Sequence, residues 1–313
     1  MSAAPAETPI LVTGANRSGT TWVGRMLCAS GELEYVHEPF NPGIWPRVLG
    51  VDTKGHYAYV CAENEGPMVP AIERILRHRA PLLSQVGEAR SARDVGRLGK
   101  AAVRTAGWAI RRRRVLLKDP IAMFSAPWLA DRFDARVVVM IRHPAAYVSS
   151  IDRLGWRFDF GFLLSQPLLM RDLLEPWRDE IEARAADPGT PFDQAITLWR
   201  IKYGVVDRWR RERPDFDFVL YEDLASEPVD GFEALYRRLG LTFDGGARTT
   251  IESFTGSANP ADRPPSEWSN VRRDSRAARN AWLARLDQNE IDRIRVGVGE
   301  IADRFYTDSD WRP

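Results

Sequence analysis

Short apolar runs bounded by turn residues alternate along this chain with longer stretches in which apolar residues recur every three or four positions. Residues 10–13 stand between Pro9 and Gly14 and read as a strand; residues 20–29 then set Trp22, Val23, Met26 and Leu27 at helical spacing. Residues 115–117, 137–141 and 216–221 are three further bounded β-rich runs, and residues 35–41 (YVHEPFN) read as a short strand running into a carboxylate before proline. Continuous apolar strands separated by helical stretches predict a parallel sheet covered on both faces, an α/β fold.

The helical pattern is clearest in two places. Phe192, Ile196, Trp199, Tyr203 and Val206 repeat across residues 191–210. Ile291, Ile294, Val298, Ile301 and Phe305 do the same after Asp287 and Glu290, which are spaced as a capping box. Two stretches break the alternation. Residues 50–114 lack a good strand, are rich in Arg and Ala, and predict a helical insertion outside the sheet; their last four residues, Arg111 to Arg114, read as a solvated helix end before a strand rather than a nucleic-acid patch. Residues 159–177 contain FDFGFLLSQPLLM in part, are apolar without a clean period, and hold Pro167 and Pro176. They fit either core or an acceptor-side flap over about residues 155–180. No composition shift marks a linker and no internal repeat is present, so residues 1–313 read as one domain with an N-terminal tail, 1–8.

Composition narrows the class. Lys and Arg total 44 against 43 for Asp and Glu, so no global field recruits nucleic acid or a membrane, and any anion site must be local. Cys28 and Cys61 provide neither a disulfide framework nor a metal quartet, which fits a reducing, cytoplasmic setting. The four histidines, at 37, 56, 78 and 143, are scattered and predict no metal site. The N-terminus lacks the pattern of a signal peptide, and no uncharged apolar run is long enough to span a bilayer. Heavy Arg and Ala usage points to a bacterial source.

The first chemistry lies at the end of the first strand. Gly14 to Thr21, GANRSGTT, fits the phosphate-loop frame G-x-x-x-x-G-K-[ST] except that Thr20 replaces the lysine. Without that lysine the loop is poorly suited to γ-phosphoryl transfer. The glycines, hydroxyls and helix N-terminus still favour an anion, and Arg17 returns a cation. The loop reads as a site for a nucleotide with one 5′-phosphate and a further anionic group. A second anion site follows the strand at 137–141, where Arg142 ends the strand, Pro144 suits a first helical turn and Ser150 lies nearly two turns on.

GANRSGTTW resembles the 5′-phosphosulfate loop of sulfotransferases that use 3′-phosphoadenosine 5′-phosphosulfate (PAPS) and release 3′-phosphoadenosine 5′-phosphate (PAP). The resemblance implies a P-loop NTPase-like three-layer fold, with a central, mainly parallel sheet and helices on both faces. It implies that Arg17, Ser18, Gly19, Thr20 and Thr21 hold the 5′-phosphosulfate, with Trp22 at the adenine side. In the family an arginine and a serine eight positions apart bind the 3′-phosphate; Arg142 and Ser150 match, and Ser149 is the less fitting register. FVLYEDL, at 218–224, resembles a strand ending common in the family, with Glu222 and Asp223 read as structural. The segment NVRRDSRAARN resembles the basic closing segment of bacterial members and offers Arg272, Arg273 and Ser275 to the 3′-phosphate.

Sulfuryl transfer also needs a base. The resemblance to bacterial and carbohydrate sulfotransferases makes Glu38 the first candidate, in its Glu-Pro context. Asp119, in VLLKDP, is second, and His37 third. Cytosolic members carry Lys-Thr-His at the position of Lys118-Asp119-Pro120, so a histidine base is not expected there. Lys118 is expected to neutralise the transferring group, as is Arg17 at the bridging oxygen, and no metal is expected. Trp45, Trp156, Phe158, Phe160, Phe162 and Trp177 are candidate acceptor-pocket residues. The Glu-Pro context favours a carbohydrate, a glycoconjugate or another small molecule. The alternatives are a P-loop small-molecule kinase and a non-catalytic nucleotide-binding protein of the same fold.

Overall fold

A computed structural model of the chain describes residues 8–51, 53, 55–262 and 271–312. The predicted N-terminal tail lies, up to residue 7, outside the described residues. Five strands form one sheet: β1 (Ile10–Gly14), β2 (Leu33–His37), β3 (Arg114–Lys118), β4 (Arg136–Ile141) and β5 (Asp217–Leu220). Their spatial order is β2-β3-β1-β4-β5 and every pairing is parallel. Leu11 is level with Leu117 on one side and with Val137 on the other.

Side chains alternate across a strand, and both faces of this sheet are apolar. Leu11, Val36, Leu117, Val137 and Val139 enter one core; Ile10, Val12, Leu116, Val138 and Met140 enter another. This is the three-layer arrangement that the uninterrupted apolar runs predict. Burying each Val, Leu or Ile side chain contributes roughly 1.5–3 kcal/mol, so both faces of the central strands help hold the fold together.

The helices are α1 (Thr20–Leu27), α2 (Met68–Leu76), α3 (Ala92–Arg111), α4 (Ala126–Phe133) and α5 (Pro144–Arg153), followed where the periodicity predicts it by the long helix Pro191–Glu212. Residues 50–113 contain helices and no strand among their described residues. The C-terminal helix Gln288–Asp303 opens on the Asp287–Glu290 capping box that the spacing predicts. Its backbone kinks at Gly299 (φ 50°), so the apolar periodicity runs through a break it does not reveal. Residues 161–177 form a series of short helical turns. Leu163, Leu169, Met170 and Leu174 in them are buried against the core.

The strand order places the site. From β1 the chain moves to one side for β2 and β3, then crosses to the other for β4 and β5. The carboxyl ends of β1 and β4 therefore flank a switch point, where open α/β sheets leave a crevice for ligands.

Candidate active site

Gly14 leaves β1 with φ 134°, a conformation open to glycine, and a Cβ there would strike the Met140 carbonyl of β4. Arg17 (φ 67°) and Gly19 (φ 91°) continue the turn. A Cβ on Gly19 would lie 2.6 Å from the Tyr221 ring. The loop thus closes against its neighbours and delivers the chain into α1 with Thr20 as the first helical residue. It opens on a cavity of about 710 Å³ lined by Arg17, Gly19, Thr20, Thr21 and Trp22 of this segment. Ser18 is placed differently: its amide and hydroxyl both donate to the Ala15 carbonyl, at 3.1 and 2.6 Å, and its side chain is buried. It shapes the loop from behind. Trp22 packs edge-on against Tyr221 and Phe232 beside the cavity.

Guanidinium groups gather at the same end. Arg142, at the carboxyl end of β4, stacks over Tyr221 with 3.7 Å between its Cζ and the ring centroid. Its Nε lies 3.5 Å from Glu222, which also accepts the His143 amide and the Tyr306 hydroxyl. Glu222 is therefore an anchor for the β4 end, and burial pushes its carboxyl up. Arg273 lines the cavity with Arg17 and Arg142. Burial, then the charges of Arg273, Arg142, Arg153 and Arg285, pushes Arg17 down to about 10. Asp262 bridges Arg153 and Arg285, at 2.7 Å to each. Arg17 itself donates to Ser150 at 3.1 Å. Arg17 and Arg273 are partly buried, and like charges gathered there are costly together unless an anion neutralises them. Of the other two C-terminal candidates, Arg272 stacks on Phe254, while Ser275 lines the cavity and donates its hydroxyl to the Ala225 carbonyl, fixing the start of its helix.

Glu38 faces the cavity from the end of β2. Its backbone amide donates to the Lys118 carbonyl at 2.8 Å, and its own φ is 43°. One carboxylate oxygen is paired with the Lys118 ammonium and the other accepts from Asn41 at 2.6 Å. Burial alone would raise this carboxyl, but the charge and hydrogen bond of Lys118 and the bond from Asn41 outweigh it and hold it below the usual range. Lys118 is fully buried behind Glu38 and is not among the cavity-lining residues. Its geometry suits holding the carboxylate rather than reaching a transferred group.

Asp119 is also withdrawn from the cavity. Its carboxylate accepts from the amides of Phe40, Ile121 and Ala122, at 2.6, 2.8 and 3.1 Å. These bonds pin the turn that follows Glu38 to the end of β3, although burial pushes the group up to about 7. His37 bonds to Tyr35 at 3.3 Å and is held down to about 4 by burial and by Lys118. Of the aromatic candidates, Trp156, Phe158 and Phe162 line the cavity. Phe160 is core, Trp45 donates to Glu88, and Trp177 packs on Gly204.

The chain matches the model of the sulfotransferase family over residues 9–245. It belongs to the sulfotransferase family. No curated protein matches the sequence. Among solved structures, this sulfotransferase is similar to the sulfotransferase domain of the Synechococcus PCC 7002 olefin synthase, at 15% identity and TM-score 0.46, covering 98% of this chain and 99% of that one. It is similar to sulfotransferase STF9 from Mycobacterium avium at 16% identity and TM-score 0.42, covering 90% and 76%. A mouse sulfotransferase complexed with PAP matches at 10% identity and TM-score 0.43, covering 98% and 88%.

The sulfotransferase cavity holds one group that the sequence reading missed. Lys202, on the inner side of helix Pro191–Glu212, is buried and lines the cavity. Its ammonium bonds to the Tyr57 and Tyr147 hydroxyls, and Tyr57 in turn donates to Asn16 of the phosphate loop. Burial pushes Lys202 down to about 7. The signal was available: Lys202 falls at helical spacing between Leu198 and Val205, inside the apolar face where a charge is out of place.

Proposed function

We propose that this sulfotransferase moves the sulfuryl group of PAPS to an acceptor hydroxyl and releases PAP. The observation that carries the reading is the convergence of the Gly14–Thr21 loop, the Arg17–Arg142–Arg273 cluster and Glu38 on one cavity. The loop amides and Arg17 hold the 5′ end of the donor; Arg142 and Arg273 hold its 3′-phosphate, with Ser150 keeping Arg17 in place. Trp22 and Tyr221 border the adenine. In the transfer, a sulfur–oxygen bond forms to the acceptor, the bond to the bridging oxygen breaks, and Glu38 takes the acceptor proton. Arg17 meets the charge that develops on the leaving oxygen.

Lys118 keeps Glu38 ionised and aimed, and Asp119 fixes the turn that carries it; both are positioning residues in this reading. The acceptor enters past Trp156, Phe158 and Phe162, whose faces suit a sugar ring or another small molecule with an apolar side. Calorimetric titration with PAP and, in parallel, with ATP and magnesium tests the reading. PAP binding without ATP binding supports it. ATP binding in preference to PAP overturns it in favour of a small-molecule kinase, and PAP binding with no transfer to any acceptor favours a non-catalytic protein.

A further inference from the structure

We propose that the outward face of α3 docks this protein on an anionic lipid bilayer. The helix stands outside the sheet and packs inward through Leu98, Ala101 and Trp108. At about 100° per residue, Val95, Gly99, Val103, Ala106 and Ile110 fall on the opposite side, and all are exposed. Val95 is 62% exposed, Val103 75% and Ile110 82%. A helix that has already buried one apolar face normally turns charge to the solvent. This outer face carries no charge.

The charge is displaced to one flank. Arg93, Arg97, Lys100, Arg104 and Arg111 follow one another at helical spacing along the border between the inner and outer faces, and Arg112 and Arg113 extend the basic end. Arg111 is shared with Glu34 and Arg104 stacks on Trp108. Arg97 lies 3.6 Å from Asp94, the one acidic residue of the helix, which is also held by Ser91 at its N-terminus. The chain as a whole is nearly neutral, so this ridge is a local feature and not part of a general basic surface. In the preceding turn, Leu83–Glu88, Leu83 is 90% exposed and Val86 57%.

A protein partner would need pockets or bulky side chains to grip, and the outer face of α3 offers only Gly, Ala, Val and Ile. A bilayer surface needs neither. It needs apolar side chains at the level of the acyl chains and cations at the level of the phosphates beside them, which is the order found here.

The test is co-sedimentation of the full chain with vesicles of phosphatidylcholine alone and of phosphatidylcholine mixed with phosphatidylserine. Binding to the mixed vesicles only is expected. Arg93→Gln and Lys100→Gln should each lower the partition coefficient about fivefold. Val103→Asp with Ile110→Asp should abolish binding while leaving PAP affinity and the thermal midpoint unchanged, since both side chains are exposed. No binding to the anionic vesicles overturns the proposal. So does binding that survives the two aspartates, which would be surface adsorption without the apolar face, and so does a dimer in solution that the aspartates dissociate.

Discussion

Arg17 Nε donates to the Ser150 hydroxyl at 3.1 Å and so ties the phosphate loop to helix α5 behind β4. Residues of the two predicted phosphate sites are therefore joined directly, and Arg17, Arg142 and Arg273 line one cavity. A charged hydrogen bond to a buried phosphate is worth about 1.5–3 kcal/mol. Arg142→Ala should therefore raise the Kd for PAP about 10–100-fold, with much less effect on adenosine 5′-phosphate. Calorimetry with both nucleotides checks this; equal losses for the two would remove Arg142 from the 3′-phosphate.

Glu38→Gln keeps the shape and one acceptor oxygen for Lys118 or Asn41, not both, while removing the proton acceptor. Turnover should fall about 10²–10⁴-fold with PAP affinity nearly unchanged, read by steady-state transfer assays and calorimetry on the same preparation. An active Glu38→Gln enzyme would show that proton removal happens elsewhere.

Asp119→Asn separates holding from chemistry. The amide retains one acceptor oxygen where the carboxylate offers two, so part of the three-amide cradle at Phe40, Ile121 and Ala122 is lost. Stability should drop by about 1–3 kcal/mol, measured by urea unfolding. Glu38→Gln also leaves the buried Lys118 ammonium without its counter-charge, so turnover rather than stability tells the two variants apart. A stable Asp119→Asn variant that has lost all turnover would instead make Asp119 the base.

The sheet was legible in the chain because its strands are apolar on both faces, and the phosphate loop because Gly14 and Gly19 mark backbone that only glycine adopts easily. Arg142 was legible as the residue ending an uninterrupted apolar run. Roles that depend on which way a side chain turns were not. Ser18 and Ser275 sit in motif positions, yet their hydroxyls are spent on the carbonyls of Ala15 and Ala225. Lys118 and Asp119 are neighbours at one strand end, and only the fold shows one backing Glu38 and the other capping a turn. Tyr57 and Lys202 lie 145 positions apart and meet only across the cavity.

That pair gives the last prediction. The folded value of Lys202 is about 7, below the ordinary lysine value of about 10.4. Between those two values the unfolded chain holds a proton that the native protein lacks, so stability rises with pH across the window. Below pH 7 both forms are protonated and the native protein carries the full cost of a buried ammonium. Tyr57, raised by burial, acts with the opposite sign only above pH 10. Lys202→Met fills the same volume without the charge. It should raise stability at pH 6 by about 1 kcal/mol or more and flatten the rise between pH 7 and 9, as measured by urea unfolding at several pH values. A variant whose pH slope matches the parent would mean that Lys202 keeps one protonation state across the window, held by the Tyr57 and Tyr147 hydroxyls.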